Sequence, residues 1–210
     1  MNKFYLLDRN PAMVEAWKKL SFEKVSSKVE VEIVESDFIK FMEDTKGAMD
    51  FIVSPANSFG VMTGGLDGAI TKYFGLQMQN RVFWYMDKKF GGYLPVGGIM
   101  AVPCYPSNDP TQLLVVPTMR EPEPIVDPRV IYDCARSVFQ FMNKSDGYNI
   151  LVPAFGAATG KVPYDLVATM MWLAYEDVYV QDKPNRDVKS RINYMNQINT
   201  NLEVALNELS

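Results

Sequence analysis

Hydrophobic and polar residues recur along this chain with two periods, and the switches between them divide it into short strands and longer helices. Lys3 to Asp8 reads as a first strand. Asn10-Pro11 then supplies an N-cap and a proline at the first helical position, opening a helix to about Leu20. From Lys28 to Glu35, Val29, Val31 and Ile33 alternate with Glu30 and Glu32, the pattern of a half-buried, peripheral strand. Asp37 opens a short helix through Phe41. Phe51, Ile52 and Val53 form a brief apolar run suited to the inside of a parallel sheet. A polar, glycine-rich loop follows, then one or two helices to about Lys89, with Gly75 as the break.

Gly97 to Pro103 and Leu113 to Pro117 are two further apolar runs, separated by Pro106, Asn108, Asp109 and Pro110. Pro117 to Pro122 leaves the second of them as a rigid, proline-punctuated loop. Pro128 to Met142 is helical in period, with Ile131, Cys134, Ala135, Val138, Phe141 and Met142 on one face. Ile150 to Val152 is another strand, ending in a second glycine-containing loop, Pro153 to Pro163, and a helix to about Tyr179. A polar break at Gln181 to Arg186 precedes a narrow helical stripe of Ile192, Met195, Ile198, Leu202, Leu206 and Leu209.

Strands alternating with helices predict a three-layer α/β/α fold around a mixed, largely parallel central sheet. Residues 1–180 read as one domain, and 181–210 as a break and a C-terminal helix that packs on the domain or on a partner. In such sheets ligands sit beyond the carboxyl ends of strands. Both glycine-rich loops, after Val53 and after Val152, leave strand ends of that kind.

Composition narrows the chemistry. A chain of 210 residues, 48% hydrophobic and 22% charged, suits one well-buried core. It holds no histidine, which removes Ser-His-Asp and Cys-His catalysis, histidine bases and most zinc sites together. Chemistry must then come from carboxylates, amides, hydroxyls, lysine or bound water, and neither a metal nor a cofactor is expected. The two cysteines, Cys104 and Cys134, make no disulfide framework, and Cys134 reads as a small core residue. The expected compartment is reducing and cytoplasmic. A net charge of −4 argues against a nucleic-acid partner. No segment reaches the roughly 18 uninterrupted apolar residues of a membrane span.

The first loop runs Ser54-Pro55-Ala56-Asn57-Ser58, then Gly64-Gly65-Leu66-Asp67-Gly68-Ala69-Ile70. Backbone N–H groups in such a loop, with a helix behind them, can meet an anion. The glycines do not fit Gly-x-Gly-x-x-Gly, so a dinucleotide fingerprint fails. In the second loop Gly156 and Gly160 are separated by three residues, where a Walker loop has four. Val162 also stands where a magnesium-binding Ser or Thr is required, which disfavours a kinase or ATPase. Two glycine-rich loops facing one crevice still fit a ligand with a diphosphate.

These residues carry a resemblance to the macro domain. Its common first loop is Asn-Ala-Ala-Asn-Ser, a glycine run, Val-Asp-Gly and an apolar helix. Glu35 to Ile39 resembles the Gly-Asp-Ile segment that receives adenine, and Pro153 to Pro163 is similar to the phosphate-cradling loop. Pro117 to Glu123 looks like a divergent branch found in phages, bacteria and fungi. The resemblance covers about Lys28 to Tyr179 and implies ADP-ribose as ligand, with hydrolysis of ADP-ribose 1″-phosphate or an ADP-ribosyl ester in some members. It implies adenine contacts from Asp37 and the Phe38 N–H, and a distal-ribose contact from Asn57. Gly64 and Gly65 would admit the ligand, and Asp67, with Asn57, would hold the attacking water. Phe155, Gly156, Ala157, Ala158, Thr159, Gly160 and Lys161 would line the sugar and diphosphate.

The chain departs from the pattern at Ser54-Pro55, which replaces the first Asn-Ala, and at Thr71, where many relatives carry histidine. Bland readings stand beside the functional ones: Asn57 as a turn staple, Asp37 and Asp67 as helix caps, Phe155 and Tyr73 as core, Lys161 as solvated. Arg120 either reaches a ligand phosphate or pairs with Glu121 or Glu123. The competing function is a non-catalytic, phage-associated interaction protein that keeps the fold as scaffold. In it the C-terminal stripe contacts a partner or a second copy of the chain.

Overall fold

The computed structural model describes residues 1–22, 29–105, 111–181, 184 and 187–209. Among these residues six strands are formed: β1 (Asn2–Asp8), β2 (Val29–Glu35), β3 (Phe51–Ser54), β4 (Met100–Pro103), β5 (Gln112–Val115) and β6 (Asn149–Pro153). The helices among the described residues are α1 (Pro11–Lys18), α2 (Phe38–Asp44), α3 (Gly65–Phe74), α4 (Gln77–Phe90), α5 (Arg129–Met142), α6 (Tyr164–Tyr179) and α7 (Val188–Leu209). The sheet order is β2-β1-β6-β3-β5-β4. Every pairing is parallel except β4 with β5, so the sheet is mixed and largely parallel, as its alternating pattern predicts.

The two-residue period of the strands divides the core between two faces. Leu6, Val53, Leu114, Ile150 and Val152 face the layer of α1, α5 and α6. Leu7, Ile52, Leu113, Val115 and Leu151 face α2, α3 and α4. Central strands are thus apolar on both faces, which is why β3 and β6 read as continuous hydrophobic runs. The outermost β2 alternates buried and exposed positions at its start, in keeping with its edge place.

Local chemistry shifts some boundaries from the expected ones. Gly97 to Ile99 lie outside the strand, because Gly98 N–H closes a turn on Pro95 O at 2.9 Å and Gly97 N–H donates to Pro117 O at 2.9 Å; β4 starts only at Met100. The helix opened by Asp37 runs past Phe41 to Asp44, closed by the Thr45 hydroxyl on the Phe41 carbonyl at 2.8 Å. Lys28, the prolines at 106 and 110, and most of the polar break at 181–186 lie outside the described residues.

The last helix packs on its own domain. Leu202 and Ala205 are buried, and Ile198, Leu206 and Leu209 rest on the same core, whereas Ile192 and Met195 stay exposed. A polar clasp reinforces this: Asp177 of α6, 1% exposed, accepts from Arg136 Nε of α5 at 2.5 Å and from the Tyr194 hydroxyl of α7. No helix among the described residues is long and apolar enough to cross a membrane.

Candidate functional site

The strand order brings the two glycine-rich loops side by side, because β3 and β6 are neighbours and both point their carboxyl ends the same way. Asn57 shapes the first loop. Its Oδ1 accepts from the N–H groups of Phe59 at 3.1 Å and Val61 at 3.2 Å, and its Nδ2 donates to Val61 O at 2.8 Å. The residue is only 6% exposed, so these hydrogen bonds make it the staple of the turn. Gln79 of α4 stitches the same loop, accepting from Met62 N–H at 2.6 Å and donating to Gly60 O at 2.7 Å.

Helix α3 then begins at Gly65, whose φ of +55° is a left-handed conformation that favours glycine. Gly64 is its N-cap and offers no side-chain partner. The N–H groups of Gly65, Leu66 and Asp67 therefore have no intrahelical acceptor. A side chain built on Gly64 or Gly65 would meet nothing within 4 Å, so the space above them is open to a ligand.

Asp67 lies in the first turn and not at the cap position, which disposes of the capping reading. Its carboxyl instead turns under the loop, where Ser54 Oγ donates to Oδ1 at 2.5 Å. Desolvation pushes the carboxyl up to about 6, with the Ser54 hydrogen bond pulling the other way. Asp67 as a residue is half-buried, and its carboxyl is crowded by protein on the Ser54 side. The protein therefore holds a carboxyl that titrates near neutrality beside open backbone donors.

The second loop is built on tight backbone turns: Val162 N–H to Gly156 O at 3.2 Å, Lys161 N–H to Ala158 O at 3.3 Å, and Ile125 N–H to Gly160 O at 2.9 Å. Among the described residues, the N–H groups of Ala157, Ala158, Thr159 and Gly160 donate to no backbone acceptor. A Cβ on Gly160 would come 2.5 Å from Gly156 O and 2.7 Å from Ile125 Cδ1. Gly160→Ala is accordingly expected to displace backbone and cost about 1–3 kcal/mol. A thermal melt of the variant checks this, and an unchanged midpoint would contradict the crowding.

Other expected residues fall differently. Asp37, at the end of β2, accepts from Ile39 N–H at 2.9 Å and so caps α2, while Phe38 is buried. Phe155 is fully buried in the core, which corrects a ligand contact by its ring. Lys161 is exposed with φ +55°. Arg120 lies 6.0 Å from the Tyr93 ring centroid, and among the described residues it pairs with neither Glu121 nor Glu123. Thr71 is buried and its hydroxyl reaches Met62 O at 3.4 Å.

A family model described as the macro domain matches residues 53–171, from inside β3 to the middle of α6, and takes in both loops. The chain belongs to the macro domain family. Its fold is similar to that of the macrodomain of Mycobacterium tuberculosis DarG, with a TM-score of 0.52 at 16% identity over 64% of this chain and 86% of that one. An Oceanobacillus iheyensis macrodomain with ADP gives 0.49 at 17% identity, covering 74% and 86%. Thermosipho africanus DarTG in complex with ADP-ribose gives 0.49 at 20% identity, covering 64% of this chain and 37% of that one. No curated protein sequence matches.

In this macro domain, two residues that shape the first loop escape a motif-based reading. Ser54 bears the signal of a lone hydroxyl closing an apolar strand, yet only the fold shows that it meets Asp67. Gln79 carries no local signal at all, since it acts from the next helix but one. A surface depression of about 580 Å³ between Ala12, Lys19, Tyr164 and Glu208 includes neither Asn57, Asp67 nor residues 156–161. Among the described residues no group of His, Cys, Asp and Glu is placed to hold a metal ion.

Proposed function

We propose that this macro domain binds ADP-ribose across the carboxyl ends of β2, β1, β6 and β3. The observation that carries the reading is the juxtaposition, on neighbouring strands, of a desolvated Asp67 with two sets of open backbone donors. The diphosphate rests on the second loop, which offers its N–H groups at 157–160, and on the first turn of α3. The distal ribose then lies over Gly64 and Gly65, and adenine extends toward Asp37 and Phe38. Strands β2 and β3 are three spacings apart in the sheet, about 14 Å, a distance an extended nucleotide diphosphate sugar spans.

A hydrolytic activity at the distal ribose is favoured by Asp67 alone among the carboxylates of the site, because burial tunes it toward neutrality. In this reading water attacks C1″ while its proton passes to Asp67. The bond from C1″ to its phosphate or acyl oxygen breaks with the electron pair leaving on that oxygen. Backbone donors hold the diphosphate fixed throughout. Asn57 contributes by holding the loop that carries these groups.

Titration calorimetry with ADP-ribose tests the binding claim; silence at millimolar ligand with folded protein overturns it. Product release from ADP-ribose 1″-phosphate tests turnover separately. Saturable binding without release in parent or Asp67→Ala makes the protein a reader of ADP-ribose and not a hydrolase.

A further inference from the structure

Ser54 ends β3 with a fully buried side chain, and its backbone carbonyl already accepts from Ala56 and Val116 N–H at 2.9 Å each. The strand register thereby fixes where its hydroxyl points. That hydroxyl reaches Asp67 Oδ1 at 2.5 Å across 13 positions of sequence. Asp67 Oδ2 has no hydrogen-bond partner among the described residues, and it is not among the polar atoms sealed from solvent. One oxygen is thus pinned to the sheet, and the other is left for whatever enters the crevice.

We propose that Ser54 is a positioning residue for Asp67, holding Oδ1 so that Oδ2 is presented, ionised, to the ligand or to an attacking water. A hydroxyl donates a stronger, charge-assisted bond to a carboxylate than to the neutral acid, so it favours the charged form and one rotamer of Asp67. The inference rests on the ADP-ribose reading for what Oδ2 meets, though not for the Ser54–Asp67 contact itself. The charged groups of the elements packed on α3 are Lys40, Glu43 and Asp44 of α2 and Arg81, Asp87, Lys88 and Lys89 of α4, with Lys72 on α3 itself. None of them perturbs its carboxyl, which responds to burial and Ser54 alone. Ser54 also stands where the family's common motif has asparagine, which makes the pair a feature of this chain.

The test uses Ser54→Ala and Ser54→Thr in the full chain. Carboxyl-carbon NMR follows the Asp67 titration in unliganded protein, and calorimetry follows ADP-ribose affinity against pH. Ser54→Ala is expected to move the Asp67 midpoint to higher pH and to weaken ADP-ribose about 3- to 10-fold at pH 7. The two proteins should converge at higher pH, where both carboxyls are ionised. Ser54→Thr restores the parent midpoint. An unchanged midpoint in folded Ser54→Ala overturns the proposal, and so does an affinity loss that is the same at every pH. A shifted midpoint with no ADP-ribose binding even in the parent keeps the Ser54–Asp67 pairing and removes the ligand reading.

Discussion

Replacing Asp67 by Asn is expected to weaken ADP-ribose roughly 10- to 100-fold and, at the same time, to make the protein more stable above pH 6. The first effect follows from losing a charged acceptor, whose hydrogen bond contributes about 1.5–3 kcal/mol. The second follows from linkage. Desolvation holds the carboxyl up to about 6, above its unfolded value near 3.9, so the folded protein grips this proton more tightly. That contribution is complete below about pH 4 and is lost as pH rises through about 6. The displacement corresponds to about 3 kcal/mol. Asn regains about 2 kcal/mol, because the amide forgoes a charge-assisted bond with Ser54.

For a chain of this length that gain is a rise of about 4–8 °C in Tm at pH 8, shrinking to nothing near pH 4. Melts at the two pH values, with calorimetry at pH 8, measure both effects. A variant that binds as the parent does, or gains no stability at pH 8, contradicts the account.

The same residue shows how far the sequence could be read. The layers, the mixed sheet and the loop positions were legible because the apolar runs at Phe51 and Ile150 have the length and continuity of buried strands. The family was legible because Ala56-Asn57-Ser58 and the run from Gly64 to Ile70 keep the order and character of its first loop. What a linear motif cannot carry is which polar groups satisfy one another. Asn57 and Asp37 are identical in sequence whether they bind a ligand or a backbone N–H, and in the fold each of them holds its own turn. Asp67 reads as a cap until Gly64 takes that position, and its raised titration depends on burial that no local pattern records. Phe155 lies in a loop by sequence, but the close approach of Ile125 to Gly156 and Gly160 folds that loop onto the core.

The clasp between α5, α6 and α7 yields an expected result of comparable size, and an asymmetric one. Asp177 is 1% exposed, whereas Arg136 keeps 30% of its side-chain surface in water. Removing Asp177 leaves a guanidinium that can turn toward solvent, so Asp177→Ala is expected to cost about 2–3 kcal/mol. Removing Arg136 takes the guanidinium away from a buried carboxylate that keeps its Tyr194 hydroxyl donor, and Arg136→Ala should reach about 3–5 kcal/mol at pH 8. The double variant, with neither charge left, should be more stable than Arg136→Ala alone. Urea unfolding of the four proteins at pH 8 measures the ordering. Equal costs for the two single variants would mean that Asp177 is not sealed by α7. In that case the last helix would be held by Leu202 and Ala205 and not by the ion pair beneath them.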